Sequence, residues 1–166
     1  MKKVIAVVGS DGVISEEAKA SAERVGEDIA KAGCVLLCGG HGGVMEAACR
    51  GAKKADGLTL GVLSEMNKDL VNPYVDIALP TSLGYARNTI VASAAEAVIA
   101  VAGSVGTLSE IAFALNYNKP VVVVEGTGGV ADFLPQEIPS NRGEVRLHPA
   151  KPEEAVDLAL KLSGGK

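Results

Sequence analysis

The chain has few aromatic residues and no excess of positive charge, and both features argue against a nucleic-acid partner. It contains no Trp, and aromatic residues make up 3% of its 166 residues. Recognition of several nucleic-acid bases by stacking on aromatic rings therefore has little support. Lys and Arg number 16 against 20 Asp and Glu, and the net charge of −4 is spread along the chain without blocks. Because cationic side chains supply most non-specific affinity for nucleic acids, this composition favours a small ligand over nucleic acid.

The chain also lacks the features of membrane, secreted and metal-binding proteins. Gly, Glu or Pro interrupts the longest apolar runs, and the N-terminus has no small-residue cleavage pattern, so we expect a cytoplasmic protein without a membrane partner. The odd number of cysteines fits a reducing compartment, and Cys34, Cys38 and Cys49 are interpreted as small buried residues. His41 and His148 have no close carboxylate pattern, so we predict no metal site.

The chain does contain a regular alternation of apolar, strand-like runs and amphipathic, helix-like segments. This alternation predicts a Rossmann-like, three-layer α/β fold with a mostly parallel central sheet, and the length predicts one domain over residues 1–166. Strands are predicted at residues 3–8, 34–38, 58–63, 75–79, 98–102 and 120–125, with an edge strand at 145–147. Helices are predicted between Ser15 and Gly33, across 44–55, through Arg87 to Ala94, across 108–117, and from Pro152 onward. Residues 126–141 are predicted to form a surface loop.

Most of the predicted strands end in small, glycine-bearing residues, at the sheet edge where open α/β proteins bind ligands. A strand that runs through a glycine turn directly into a helix points backbone N–H groups and the positive end of the helix dipole at an anion. The turn after the fifth strand has this pattern and predicts a phosphate site formed by Gly103, Ser104, Val105, Gly106 and Thr107. Further ligand-binding residues are predicted in the turns after the first two strands: Gly9, Ser10, Gly39, Gly40, His41, Gly42 and Gly43.

These glycine turns differ from two well-known nucleotide-binding motifs. The turn that begins at Gly9 lacks the third glycine of the dinucleotide fingerprint, and no acidic residue ends the second strand to hold a ribose. No Gly-Lys-Ser/Thr sequence occurs, so the phosphate loop of nucleoside-triphosphate hydrolases is absent. The pattern therefore argues against a dinucleotide oxidoreductase and a triphosphatase.

Two charged residues near these turns each allow a functional and a structural interpretation. Glu110 follows Thr107 by three residues, the spacing of a helix capping box, but it also lies beside the predicted phosphate site. Arg87 comes early in a predicted helix, where the helix dipole disfavours a cation unless an anion compensates. The structural alternative for Arg87 is a surface ion pair with Glu96 or another carboxylate.

Three ordered segments resemble the motifs of the Lonely Guy-like family: Gly-Gly-His-Gly-Gly-Val-Met at 39–45, Tyr-Ala-Arg-Asn at 85–88 and Gly-Ser-Val-Gly-Thr-Leu-Ser-Glu at 103–110. Established members are cytokinin-activating phosphoribohydrolases, so the resemblance implies a Rossmann-like enzyme that cleaves the base from a nucleoside 5′-monophosphate. It places Arg87 and Glu110 at the positions of the catalytic pair. Members also carry a lysine decarboxylase label, but no residues here indicate a pyridoxal phosphate site.

The resemblance leaves a second function open. The Tyr-Ala-Arg-Asn form of the middle motif and the short chain are closer to a branch that is similar to the molybdenum cofactor carrier proteins. A carrier would hold its phosphorylated pterin on the same glycine turns without turnover. The resemblance implies no required cofactor, a small phosphorylated ligand (a nucleotide, phosphate or molybdenum cofactor), and a homo-oligomer, either a dimer or a tetramer.

Overall fold

The computed structural model describes residues 1–141 and 143–164, and a single eight-stranded sheet forms its centre. The strands are β1 (Val4–Gly9), β2 (Val35–Cys38), β3 (Leu58–Leu63), β4 (Ile77–Pro80), β5 (Ala97–Val101), β6 (Val121–Val124), β7 (Glu137–Ser140) and β8 (Gly143–Ala150). Their order in the sheet is β4-β3-β2-β1-β5-β6-β8-β7. Only the β7–β8 pair is antiparallel within the described residues. The predicted mostly parallel α/β sheet is therefore confirmed.

Helices cover both faces of this sheet. They are α1 (Glu16–Lys31), α2 (Gly43–Lys54), α3 (Asn88–Ala94), α4 (Val105–Asn116), α5 (Gly129–Phe133) and α6 (Ala155–Gly164), with a short 3-10 helix at Gly84–Arg87. Within β1, Ile5 and Val7 belong to one core layer, which includes residues of α1, α2 and α6. Ala6 and Val8 belong to the other layer, with residues of α3 and α4, because successive strand residues face opposite sides. The predicted three-layer architecture follows from this alternation.

Helices α1 and α2 pack together at two glycines. A Cβ atom on Gly26 would lie 1.9 Å from the carbonyl oxygen of Ala48, and one on Gly51 would lie 1.9 Å from the carbonyl oxygen of Glu23. Only glycine permits such an approach of two backbones.

None of the helices in residues 1–141 and 143–164 combines the length and the apolar character that a membrane crossing requires.

The three cysteines are free thiols in the core, as predicted. The Sγ atoms of Cys38 and Cys49 lie 3.6 Å apart, at the end of β2 and on α2. Both residues are fully buried. They contribute to the packing beneath the turn that connects these two elements.

The structure corrects two predictions for the C-terminal third. Residues 126–141 do not form a loop throughout, because they contain α5 and β7. The predicted edge strand at 145–147 is the longer β8, which pairs with β6 on one side and β7 on the other. Strand β7 is mostly exposed and contains Pro139, a residue that sheets tolerate at an edge, so its sequence gave no apolar signal.

The order of the strands reverses between β1 and β5. The chain leaves β1 towards β2 on one side and returns through β5 on the other. Ligands of open α/β sheets bind at the carboxyl ends of the strands at such a switch point. Here the Gly103 N–H donates to Ser10 Oγ at 3.2 Å and joins the two segments that follow these strands.

Candidate functional site

A cleft of about 810 Å³ opens at the carboxyl ends of the central strands. Eight of the residues predicted from the sequence line it: Gly9, His41, Arg87, Ser104, Val105, Gly106, Thr107 and Glu110. The other lining residues are Asp11, Met45, Ser64, Glu65, Leu70, Gly84, Tyr85, Asn88 and Ser109. The remaining predicted residues, Ser10, Gly39, Gly40, Gly42, Gly43 and Gly103, are not among those that line it.

The residues 103–107, which we call the β5 turn, lead from β5 into the first turn of α4. Ser104 is the N-cap residue in extended conformation, and its side chain accepts no capping hydrogen bond. The Leu108 N–H donates to the Ser104 carbonyl at 2.9 Å and closes the first helical turn. The preceding N–H groups of Val105, Gly106 and Thr107 have no partner within the helix, as at any helix start. All three residues line the cleft, and unpaired N–H groups at a helix start are suited to an anion.

The structure overturns the capping-box interpretation of Glu110. Helix α4 begins at Val105, with Ser104 as its N-cap. Thr107 is therefore the third helical residue, and Glu110 lies in the second turn, where no unpaired N–H group is within reach of its carboxyl group. Its carboxylate instead faces Arg87 across the cleft, with Oε1 at 3.5 Å from Arg87 Nη1.

Arg87 lies where the short 3-10 helix meets α3, and its side chain is only 9% exposed. Its Nη2 donates to the Gly39 carbonyl at 3.4 Å. The structural alternative, a surface ion pair, is wrong because Arg87 is buried. The Glu96 carboxylate instead accepts a hydrogen bond from the Val4 N–H. The compensating carboxyl group is that of Glu110.

The guanidinium of Arg87 retains hydrogen-bonding capacity. Its contacts with Glu110 and Gly39, at 3.5 and 3.4 Å, exceed the roughly 2.8 Å typical of charge-assisted hydrogen bonds. The buried Nε has no acceptor among the described residues. Gly39 makes room for the group, since a Cβ atom there would lie 2.5 Å from Nη1 and Nη2. Arg87 can therefore still bind an anionic or hydroxyl-rich ligand.

Burial raises the pKa of Glu110 to about 7, although the nearby positive charge of Arg87 opposes the shift. The side chain is 8% exposed, so water does little to stabilise its charged form. Burial thus favours the protonated form of this carboxyl group, and Arg87 favours the ionised form. The carboxyl group can both stabilise a developing positive charge and exchange a proton with water.

The residues 39–43, which we call the β2 turn, mostly form hydrogen bonds within the protein. The Gly40 N–H donates to Cys38 Sγ at 3.3 Å, and the Gly42 N–H donates to Asp11 Oδ1 at 3.0 Å. Asn72 Nδ2 donates to the carbonyl groups of Gly40 and His41. These contacts hold the turn behind the cleft, from which only the side chain of His41 contributes to the lining.

Sequence reasoning missed Ser64 and Glu65, which follow β3 directly. The available signal was their position, because they come immediately after the predicted strand 58–63 and thus at the carboxyl edge of a parallel sheet. Asn88 was quoted in a motif but not assigned to the site. Its Nδ2 donates to Ser109 Oγ at 2.9 Å and links α3 to α4.

The described residues contain no group of three or more His, Cys, Asp or Glu side chains arranged to hold a metal ion.

The chain is similar to known proteins both in sequence and in structure. A protein of Archaeoglobus fulgidus is 47% identical over 128 residues, which cover 74% of this chain and 83% of the relative. The cytokinin riboside 5′-monophosphate phosphoribohydrolase of Mycobacterium tuberculosis is 31% identical over 116 residues, which cover 64% of this chain and 62% of that enzyme.

Two of the similar solved structures are of proteins that bind molybdenum cofactor. The molybdenum cofactor carrier protein of Chlamydomonas reinhardtii is 32% identical with a TM-score of 0.83, over 99% of this chain and 100% of that chain. The molybdenum cofactor binding protein of Rippkaea orientalis is 36% identical with a TM-score of 0.73, over 99% and 86% respectively. A family model described as the SLOG cluster4 family matches residues 2–156. The chain therefore belongs to the SLOG cluster4 family, which is Lonely Guy-like and Rossmann-like in fold.

Proposed function

We propose that the cleft binds a nucleoside 5′-monophosphate and that Arg87 and Glu110 hydrolyse its N-glycosidic bond. The observation that carries this proposal is the buried pair itself. A carboxyl group with a pKa near 7 lies 3.5 Å from a guanidinium with unused donors, beside a helix N-terminus. Titratable groups perturbed in this way, in a cleft at a sheet switch point, are typical of functional sites.

The phosphate would lie on the β5 turn. Val105, Gly106 and Thr107 line the cleft, their N–H groups have no helical partners, and the positive end of the α4 dipole favours a dianion there. No side chain of the turn is acidic. Arg87 lies beside this position and can add a bidentate contact to the phosphate or the ribose hydroxyls.

Glu110 would act at the anomeric carbon. Cleavage of an N-glycosidic bond develops positive charge on the sugar, and an ionised carboxylate stabilises that charge in a site shielded from water. A pKa of about 7 also lets Glu110 accept a proton from the attacking water at neutral pH. Arg87 keeps part of the Glu110 population ionised despite its burial.

The test is incubation of the protein with AMP, GMP, CMP and UMP, followed by chromatographic detection of free base and ribose 5-phosphate. Glu110→Gln keeps the shape of the side chain but removes the ionisable group, so we expect kcat to fall by roughly 10²- to 10³-fold. Ligand binding should persist, as measured by the ligand-induced rise in melting temperature. Full turnover in this variant would contradict the role assigned to Glu110.

A second candidate is a molybdenum cofactor carrier without turnover. The observation in its favour is the similarity to the carrier of Chlamydomonas reinhardtii along nearly the entire chain. That ligand also carries a phosphate, so the β5 turn would serve either function. Binding of a phosphorylated pterin without release of base from any nucleotide in the panel would favour the carrier.

A further inference from the structure

One polar cluster of the cleft has no part in the chemistry described so far. It consists of His41, from the β2 turn, and Ser64 and Glu65, which follow β3. All three line the cleft, as do Arg87, Glu110 and the start of α4. His41 lies at the end of β2 and the β5 turn at the end of β5, and only β1 separates these strands. Two strand spacings are about 10 Å, which suits a ligand with phosphate at one end and base at the other.

One nitrogen of the His41 ring is held by the neighbouring side chains. Nε2 lies 3.3 Å from Glu65 Oε2 and 3.3 Å from Ser64 Oγ. The Ser64 hydroxyl donates to Glu65 Oε1 at 2.7 Å and orients the carboxylate towards the ring. The hydrogen bond from this hydroxyl lowers the pKa of Glu65, whereas burial raises it. The nearby His41 also lowers it, and the pKa stays below its usual value. Glu65 is therefore an anion at neutral pH, and its carboxylate lies beside the His41 ring.

The other ring nitrogen is available to a ligand. Nδ1 makes no hydrogen bond to any residue within 1–141 and 143–164, and the side chain is 14% exposed in the cleft. The backbone is fixed as well, because Asn72 Nδ2 donates to the His41 carbonyl at 2.9 Å. The His41 ring thus has Nε2 hydrogen-bonded to Ser64 Oγ with the Glu65 carboxylate close by, and Nδ1 unpaired in a residue that lines the cleft. A histidine with one nitrogen held and the other unpaired is suited to proton transfer.

We propose that His41 is the general acid that protonates the departing base. This inference rests on the proposed N-glycosidic hydrolysis. As the bond between C1′ and the base nitrogen breaks, its electron pair stays with the base, and the Nδ1 proton of the His41 imidazolium moves to a ring nitrogen of that base. Water adds to C1′ and loses a proton to Glu110. Proton exchange with solvent then restores both groups.

His148 provides the matched control within the same chain. It lies in β8, pairs in register with Val122, and does not line the cleft. Burial, followed by the nearby charge of Arg146, lowers its pKa. Its substitution by Gln changes a histidine that has no ionic partner among the described residues and leaves the site intact.

The experiment compares two substrates that differ in their need for an acid. AMP releases adenine, which departs readily only when protonated, whereas nicotinamide mononucleotide releases neutral nicotinamide without protonation. We expect His41→Gln to lower kcat for AMP by roughly 10²- to 10⁴-fold and to leave kcat for nicotinamide mononucleotide near wild type. Glu65→Gln should show the same selectivity with a smaller loss. His148→Gln should match wild type on both substrates.

Four results would overturn the assignment, and each can be distinguished from the others. Equal losses of kcat on both substrates would indicate that His41 has no role in protonating the base. An unchanged kcat for AMP would indicate that His41 takes no part in the reaction. If nicotinamide mononucleotide is not cleaved by wild type, added imidazole should restore AMP hydrolysis by His41→Ala, and failure of that rescue counts against His41. If wild type cleaves no nucleotide at all, the proposed hydrolysis fails first and this assignment falls with it.

Discussion

The β2 and β5 turns are both rich in glycine, but their backbone N–H groups have different partners. In and after the β2 turn, Gly40, Gly42 and Val44 donate to Cys38 Sγ, Asp11 Oδ1 and the Ser10 carbonyl. In the β5 turn, the first N–H groups of α4 have no helical partner and line the cleft. The N–H groups of Gly40 and Gly42 are therefore used within the protein, whereas the first N–H groups of α4 have no helical partner. Glycine content alone does not distinguish the two turns, because it indicates backbone freedom and not which acceptors the N–H groups find.

The same difference appears in what each glycine contacts. A Cβ atom on Gly43 would lie 2.2 Å from the Ser10 carbonyl oxygen, and Gly43 has a φ of +59°. A Cβ atom on Gly106 would have no neighbour within 4 Å. Gly43 is therefore packed against the segment after β1, whereas Gly106 has open space beside it.

The largest expected effect is on folding, from one alanine in each turn. Gly43→Ala should lower the free energy of unfolding by about 3 kcal/mol, because it combines a left-handed backbone with displacement of Ser10. Gly106→Ala should change it by less than about 1 kcal/mol, and in the stabilising direction, because alanine is the better helix former. Urea denaturation measures both. Equal destabilisation by the two variants would refute the distinction between a packed and an open turn.

The second expected effect is a pH dependence of the free energy of unfolding, caused by Glu110 on α4, the helix that follows the β5 turn. Its pKa of about 7 in the folded protein exceeds the ordinary value of 4.5, so folding favours the protonated form. That stabilisation is fully present below about pH 4.5 and is lost as the pH rises towards 7. The stability of wild type relative to Glu110→Gln should therefore fall by about 3 kcal/mol at most between pH 4.5 and 8.

Urea denaturation of both proteins across this pH range provides the measurement, and all other titrating groups cancel in the difference. Parallel stability curves for the two proteins would mean that Glu110 ionises as an ordinary exposed carboxyl group. Ser104→Ala is a useful additional variant, because it alters the exposed N-cap residue, whose side chain makes no capping hydrogen bond, and leaves Glu110 in place.

The smallest effect is on ligand affinity at the β5 turn. Gly106→Asp adds a negative charge beside the expected phosphate position without a steric conflict, so the fold should survive. Affinity for AMP should fall by at least about tenfold, or about 1.4 kcal/mol, through like-charge repulsion. Gly106→Asn has the same shape without the charge and should retain most of the affinity. Calorimetric titration of the three proteins decides the question, and an equal loss in both variants would indicate a steric cause.

The central fold was predictable because its strands are buried on both faces. Runs such as 98–102 are apolar throughout and end in glycine, a pattern that few other structures share. The segment 126–141 was less predictable, because α5 has five residues and β7 is exposed along most of its length. Strand β7 depends on its pairing with β8, and α5 on its packing against β6 and α4, and not on their own periodicity.

The candidate site was predictable in part. Arg87 and Glu110 were predicted as a functional pair through the family resemblance, and the structure brings them to 3.5 Å. Ser64 and Glu65 were not predicted, although they follow a predicted strand, because a serine and a glutamate at a strand end are ordinary surface residues without knowledge of the strand order. Their contact with His41 requires β2 and β3 to be neighbours.

The order of the central strands and of the helices between them follows from the sequence alone, because hydrophobic periodicity and glycine turns are local properties. The glycine-rich segments at the carboxyl ends of these strands are likewise visible in the sequence. Only the tertiary structure decided which turn leaves its N–H groups to the cleft, since that depends on acceptors such as Asp11 Oδ1 from another segment. It likewise decided the role of Glu110, because the start of α4 at Val105 removes it from the cap, and burial opposite Arg87 sets its pKa.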